Sequence, residues 1–170
     1  MKTARTILSV ILALSFTAPS AGEAQTPTPS ASAPVIRARG SFFALSVSDM
    51  AASVSWYRDK LGLSVIMQAA RTDATKSAAT VLSGGGLTVE LVQHDDAVPL
   101  QKFLPTQRGA LYVHGIFKVG IIVNDFDATL ATLRSRGIEI AIGPFPKRPD
   151  QPANAIIRDN AGNYIQIFGP

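Results

Sequence analysis

Two side chains that could do chemistry interrupt runs that otherwise belong in a core. Glu90 stands in Thr88-Val89-Glu90-Leu91, and Gln166 stands between Ile165 and Ile167. Successive side chains of a strand point to opposite faces. Leu87, Val89 and Leu91 therefore share one face and Glu90 takes the other. Ile165 and Ile167 likewise leave Gln166 opposite them, beside Tyr164 and Phe168. The same parity sets Lys118 apart from Val119, Ile121 and Val123, and Phe42 apart from Phe43, Leu45 and Val47. A carboxylate and an ammonium on one face are a natural pair, and breaking a partly buried pair costs about 3–5 kcal/mol. Three roles fit these residues. The pair can simply hold the fold together. Phe42, Tyr164 and Phe168 can be the apolar walls of a ligand pocket, with Glu90, Lys118 and Gln166 as its polar anchors. Glu90 can act as a general base while Lys118 steadies a developing oxyanion.

Metal chemistry has few donors to draw on. The chain has two histidines, His94 and His114, and no cysteine. That excludes disulfides, thiolate metal sites and a lipid-modified cysteine. His94-Asp95-Asp96 is the one cluster that suggests a metal, but three adjacent polar residues at the start of a loop are more often solvated.

The elements that must position these residues occur twice. Residues 42–62 read FFALSVSDMAASVSWYRDKLG and residues 118–137 read KVGIIVNDFDATLATLRSRG. Each is an alternating strand, an Asp, an amphipathic helix and a Gly. Asp49 and Asp125 can cap the helices by accepting first-turn N–H groups. Met50, Val54, Tyr57 and Leu61 form one helical stripe; Phe126, Leu130 and Leu133 form the other. Gly62 and Gly137 end the helices. Strands are predicted at residues 41–48, 63–70, 78–83 and 87–93, and again at 118–123, 138–142, 155–158 and 164–168. Residues 143–152 are predicted as a Pro-rich loop, and Asp159-Asn160-Ala161-Gly162-Asn163 is a strong turn signal. The fold class is α+β: two β-α-β-β-β modules, at 41–93 and 115–170, joined by a connection at 94–114. A repeated unit of this kind normally shares a core with its copy.

The N-terminal segment lies outside that core. Lys2 and Arg5 precede an apolar run at residues 7–16, and small residues follow up to Gly22-Glu23-Ala24. This is the order of a secretory signal peptide, expected at residues 1–24 with cleavage after Ala24 or, failing that, Ala21. The run is shorter than the ~20 residues a membrane-spanning helix needs, so no stable membrane insertion is expected after cleavage. Residues 25–38, rich in Pro, Ser, Thr and Ala, form a tether with little to bury. The domain proper is residues 39–170, exported to a periplasmic or secreted location. The net charge is +4 and the basic residues are scattered. Without a Lys/Arg stripe interleaved with aromatics, nucleic acid is not an expected partner.

Three stretches, in order and at the right spacing, make the chain resemble the vicinal oxygen chelate superfamily, the glyoxalase and bleomycin-resistance fold. They are FALSVSDMAASVSWYRDKLGL, VGIIVNDFDATLATLRSRGIEI and IIRDNAGNYIQIFGP. The resemblance covers about residues 41–169. It implies a U-shaped mixed sheet with helices outside and a cavity within, where many members bind a divalent metal through His, Gln or Glu. The family's first-strand ligand sits seven residues before the capping Asp, which falls on Phe42 and Lys118. The fourth-strand ligand falls on Glu90 and Gln166. Phe has no lone pair to give, and a lysine ammonium has three donors and no acceptor. Transition-metal sites usually take three or more protein ligands, so neither a metal nor another cofactor is expected. The resulting expectation is an exported, metal-independent protein that binds a hydrophobic or anionic small molecule, as an antibiotic sequestrant would. The alternative is a glyoxalase-like lyase, isomerase or dioxygenase, with or without a divalent metal. A homodimer is compatible with either, the modules pairing within one chain or exchanged between two.

Overall fold

The computed structural model describes residues 40–103 and 114–170. The signal-peptide and tether expectations, and half of the connection between the modules, lie outside the described residues. The first module comprises β1 (Phe43–Ser46), α1 (Met50–Leu61), β2 (Ser64–Ala69), β3 (Ser77–Gly84) and β4 (Leu87–His94). One 3-10 turn, Leu100–Phe103, lies in the connection. The second module comprises β5 (Val119–Ile122), α2 (Phe126–Ser135), β6 (Ile140–Phe145), β7 (Asn154–Arg158) and β8 (Tyr164–Phe168).

Each module folds its strands into a four-stranded mixed sheet, ordered β1-β4-β3-β2 and β5-β8-β7-β6. The first and last strands of each module pair in parallel, and the other pairs are antiparallel. The repeat holds at the level of single residues. Phe43 faces Val89 in the first module and Val119 faces Ile165 in the second, so both partners are displaced by the same 76 residues (43 to 119, 89 to 165). The helix caps repeat too: Asp49 accepts from the Ala52 N–H and Asp125 from the Ala128 N–H, both at 2.9 Å. Gly62, at φ 77°, and Gly137, at φ 70°, take the left-handed conformation in which each chain leaves its helix.

The strand nearest the predicted Pro-rich loop differs from expectation. β6 continues through Gly143 and Pro144 to Phe145. Its register with β7 shifts twice, between Ile140 and Ile142 and again before Phe145. Such irregularity lets an edge strand carry a proline without a ladder bond being lost.

One apolar cluster joins the two modules. It includes Val47, Tyr57, Leu82, Val89 and Leu91 from the first and Phe126, Leu130, Ile157, Ile165 and Ile167 from the second. Polar bonds add to that seam. The buried Tyr57 hydroxyl of α1 donates to Asp159 Oδ2 at 2.9 Å, in the β7–β8 turn. Asn160 Nδ2 donates to Ser53 Oγ at 3.0 Å beside it. At the far ends of the helices Arg136 Nη1 donates to the Lys60 carbonyl at 2.9 Å, and Lys60 Nζ donates back to the Arg136 carbonyl. Gly169 closes the second module against α2, where an added Cβ would collide with the Phe126 side chain.

Tyr57→Phe should therefore destabilise the domain by about 1–3 kcal/mol, because it strips a donor from a buried carboxylate. A urea-unfolding series reads this directly. An unchanged midpoint would show that the contact between the modules rests on apolar packing alone.

Candidate ligand-binding site

The strand register places the predicted site residues in two matching sets. Glu90 lies opposite Ala44 in the first module, and Gln166 lies opposite Gly120 in the second. Phe42 and Lys118 stand at equivalent points, each one residue ahead of its strand. The predicted parity agrees with burial: Val89, Leu91, Ile165 and Ile167 are in the core, while Phe42 is 65% exposed on the other face. Glu90, Tyr164 and Phe168 are half-buried, and Lys118 is exposed.

Gln166 is buried to 6% exposure and held in a defined orientation. Its Nε2 donates to Asn154 Oδ1 at 3.0 Å, and Asn154 Nδ2 donates to the Pro152 carbonyl at 3.3 Å. A carbonyl can only accept, so it fixes which end of each amide is which. Gln166 Oε1 is left as a buried acceptor with no partner. Such an atom forfeits its hydration for nothing unless something donates to it.

Lys118 takes an environment different from the expected one. Among the described residues the ion pairs join Arg58 to Asp59, Arg71 to Asp73 and Asp95, and Lys76 to Asp73. Lys118 and Glu90 are not among them, which corrects the expected pair. Parity places each residue on a face of its own sheet. It does not bring together two residues on separate four-stranded sheets. The Lys118 ammonium instead lies 5.5 Å from the centre of the Phe117 ring. Although the residue as a whole is exposed, partial desolvation of the ammonium lowers its pKa from the ordinary lysine value.

Phe117 meets Tyr164 edge to face, with ring centres 5.7 Å apart. Arg158 lies over the other aromatic partner, 4.9 Å from the Tyr164 centre, and its Nη2 donates to Tyr164 Oη at 2.6 Å. Arg158 and Asn154 were missed in the sequence. Their signal was available, since both alternate with the core residues Ala155 and Ile157 along β7 and so share the face of Gln166.

A cleft of about 380 Å³ lies between the modules. Ser41, Phe42 and the Gly85-Gly86 turn line its first-module side, and Val119, Gly120 and Ile122 line its second. Ile122 is 87% exposed there.

The His94 cluster is occupied by local bonds. His94 Nδ1 accepts from the Asp96 N–H at 3.1 Å, and Asp95 pairs with Arg71 at 2.7 Å. Among the described residues no group of three or more His, Asp or Glu is placed to hold a metal ion. The four positions that the resemblance marks for ligands offer one carboxylate and one carboxamide oxygen, together with a phenyl ring and an ammonium. That donor set does not fit a divalent transition metal.

A two-module α+β domain with a cleft between its halves is the class that this geometry defines. The model of the Glyoxalase/Bleomycin resistance protein/Dioxygenase superfamily matches residues 41–167, and the chain belongs to that superfamily. Solved structures agree on the fold. A glyoxylase/bleomycin resistance protein/dioxygenase domain from Frankia sp. EAN1pec is 22% identical, with a TM-score of 0.59 over 79% of this chain and 93% of that one. A glyoxalase family protein from Enterococcus faecalis is 17% identical, with a TM-score of 0.58 over 78% and 96%. TnmS3, an antibiotic binding protein from Streptomyces sp. CB03234, is 21% identical, with a TM-score of 0.54 over 79% and 97%. No curated protein matches the sequence.

Lys118 offers a test of the site's electrostatics. Its folded pKa is below the unfolded one, so in the window between them the unfolded chain binds more protons and stability rises with pH. Below that window the charged lysine weakens the fold by a constant amount. Lys118→Met should accordingly be at least as stable as the parent at neutral pH, with its advantage shrinking toward the ordinary pKa of 10.5. Thermal melts from pH 7 upward measure it. A variant less stable at neutral pH would show that the ammonium's contact with the Phe117 ring outweighs the cost of its partial desolvation.

Proposed function

We propose that this protein is an exported, metal-independent member of its superfamily that binds a small organic molecule between its modules. The loss of metal-ligand chemistry at Phe42 and Lys118 carries the reading. Both residues stand at the matching point of the two modules, so a single register error would not restore a ligand set. Of the proposed site residues, Phe42 lines the cleft between the modules; the half-buried Glu90 and the buried Gln166 are proposed as polar groups beside it, with Tyr164 and Phe168 as further apolar walls. Apolar walls with a few placed polar groups are the usual composition of a small-molecule site. The likeness in fold to an antibiotic binding protein supports a binding role of the sequestering kind. A glyoxalase-like enzyme, with Glu90 as general base and Lys118 steadying a developing oxyanion, is the alternative reading; turnover of a substrate abolished by Glu90→Gln would favour it.

Elemental analysis of protein purified without chelators should find no stoichiometric transition metal, and chelation should leave the melting temperature unchanged. About one tightly held zinc, nickel, iron or manganese per chain would overturn the reading, since a single site binds a single ion.

Export rests on the charged, apolar and small-residue order of residues 1–24. Protein recovered from the cell envelope should begin at Gln25. An intact Met1 on that protein would show that the segment is kept as an anchor.

A further inference from the structure

Polarity changes in order along the open face of β5 and β8. Lys118 stands at the entering end, with Tyr164 of β8 beside it and Arg158 of β7 paired to Tyr164. Gly120 and Gln166 lie opposite each other in the middle. Ile122 and Phe168 lie opposite each other at the leaving end. At about 3.3 Å per residue, Lys118 to Ile122 spans about 13 Å.

The entering end carries uncompensated positive charge. Among the described residues neither Lys118 nor Arg158 joins an ion pair. Arg158 directs one of its five N–H donors to Tyr164 Oη. The Tyr164 oxygen accepts that bond, so its own proton is free to be donated. The middle of the face holds the opposite need, the unpartnered acceptor Gln166 Oε1. Gly120 leaves open space above the sheet at that point, where an added Cβ would meet nothing within 4 Å. The leaving end is apolar, with Ile122 in the cleft between the modules.

From this order we infer that the bound molecule is an amphipathic organic carboxylate. Its carboxylate sits at Arg158, Tyr164 and Lys118, and its apolar body lies over Gly120 toward Ile122 and Phe168. Gln166 Oε1 is closed to solvent, so a hydrogen-bond donor midway along the body reaches it only once the Gln166 amide turns outward. Guanidinium-to-carboxylate bonds are charge-assisted, so they supply both orientation and selectivity against neutral analogues. Glu90 lies on the other module and would repel such an anion there, which leaves the second module as its seat. The inference rests on the small-molecule reading above and adds to it the class of ligand and its direction of binding.

The test uses 4-phenylbutanoate and its neutral counterpart 4-phenyl-1-butanol, titrated by ligand-observed NMR against the purified domain. The acid should bind saturably and the alcohol about ten-fold more weakly or worse, as expected for the loss of a charge-assisted bond. Arg158→Gln should weaken the acid to the level of the alcohol. Gly120→Leu should block both, since its side chain fills the middle of the face. Both variants change side chains with room around them, and cooperative melting confirms that each is folded. If acid and alcohol bind equally and Arg158→Gln changes nothing while Gly120→Leu blocks both, the pocket stands and the carboxylate assignment falls. If Gly120→Leu leaves binding intact, the ligand sits elsewhere and the assignment falls again. If neither probe binds the parent domain, the inference is overturned, while metal analysis judges the broader reading separately.

Discussion

Asp159 is the buried charge on which the relative placement of the two modules depends. It is 6% exposed and accepts four hydrogen bonds. Oδ1 takes the N–H groups of Ala161 and Asn163, and Oδ2 takes Asn163 Nδ2 and the Tyr57 hydroxyl. Three of these close the β7–β8 turn on itself. The fourth comes from α1, 102 residues away in sequence. A buried carboxylate is tolerable only when its oxygens are satisfied in this way. Burial first, and the neighbouring Asp159 second, push the Tyr57 hydroxyl far above the ordinary tyrosine pKa. It therefore stays a donor at any pH the fold would meet. The turn that Asp159 organises delivers β8, the strand of Tyr164, Gln166 and Phe168. The seam between the modules and the candidate site thus share one support.

The repeat separates what the fold needs from what the site does. On the core face, matched positions stay apolar in both modules: Phe43 with Val119, Leu45 with Ile121, Val47 with Val123, Val89 with Ile165, and Leu91 with Ile167. On the open face every matched position differs in chemistry or size: Phe42 with Lys118, Ala44 with Gly120, Ser46 with Ile122, Thr88 with Tyr164, and Glu90 with Gln166. A shared core demands apolar side chains from both copies. The open face carries no such demand, so its two halves are free to differ in chemistry.

This division also explains how far the sequence could be read. The capping aspartates, the helical stripes and the alternation in the strands are local signals, and they located the elements to within a few residues. Parity then placed Glu90, Gln166 and Lys118 opposite the core. It could not reveal that Lys118 and Glu90 fail to meet, because the distance between two sheets is set by packing, here by Tyr57, Ser53 and the hairpin at Asp159 and Asn160. The extension of β6 through Pro144 was hidden for a related reason. A proline argues against a central strand, and only the fold shows that β6 is an edge. Arg158 was legible by alternation, yet it reads as the flank of a turn until Tyr164 is seen beside it.

The replacement of a carboxylate by a carboxamide between the two modules then acquires a physical meaning. Position 90 holds Glu and its counterpart holds Gln. A glutamate at 166 would have to bury its charge beside Asn154, which is costly without a close cation. Were Lys118 or Arg158 to swing in and compensate it, the positive end of the face would be neutralised from within. Gln166 avoids both outcomes. It needs no counter-charge and leaves the lysine and arginine without an internal ion pair. Under the proposed carboxylate reading, the ligand's anion would supply at this end the counter-charge that the fold leaves out.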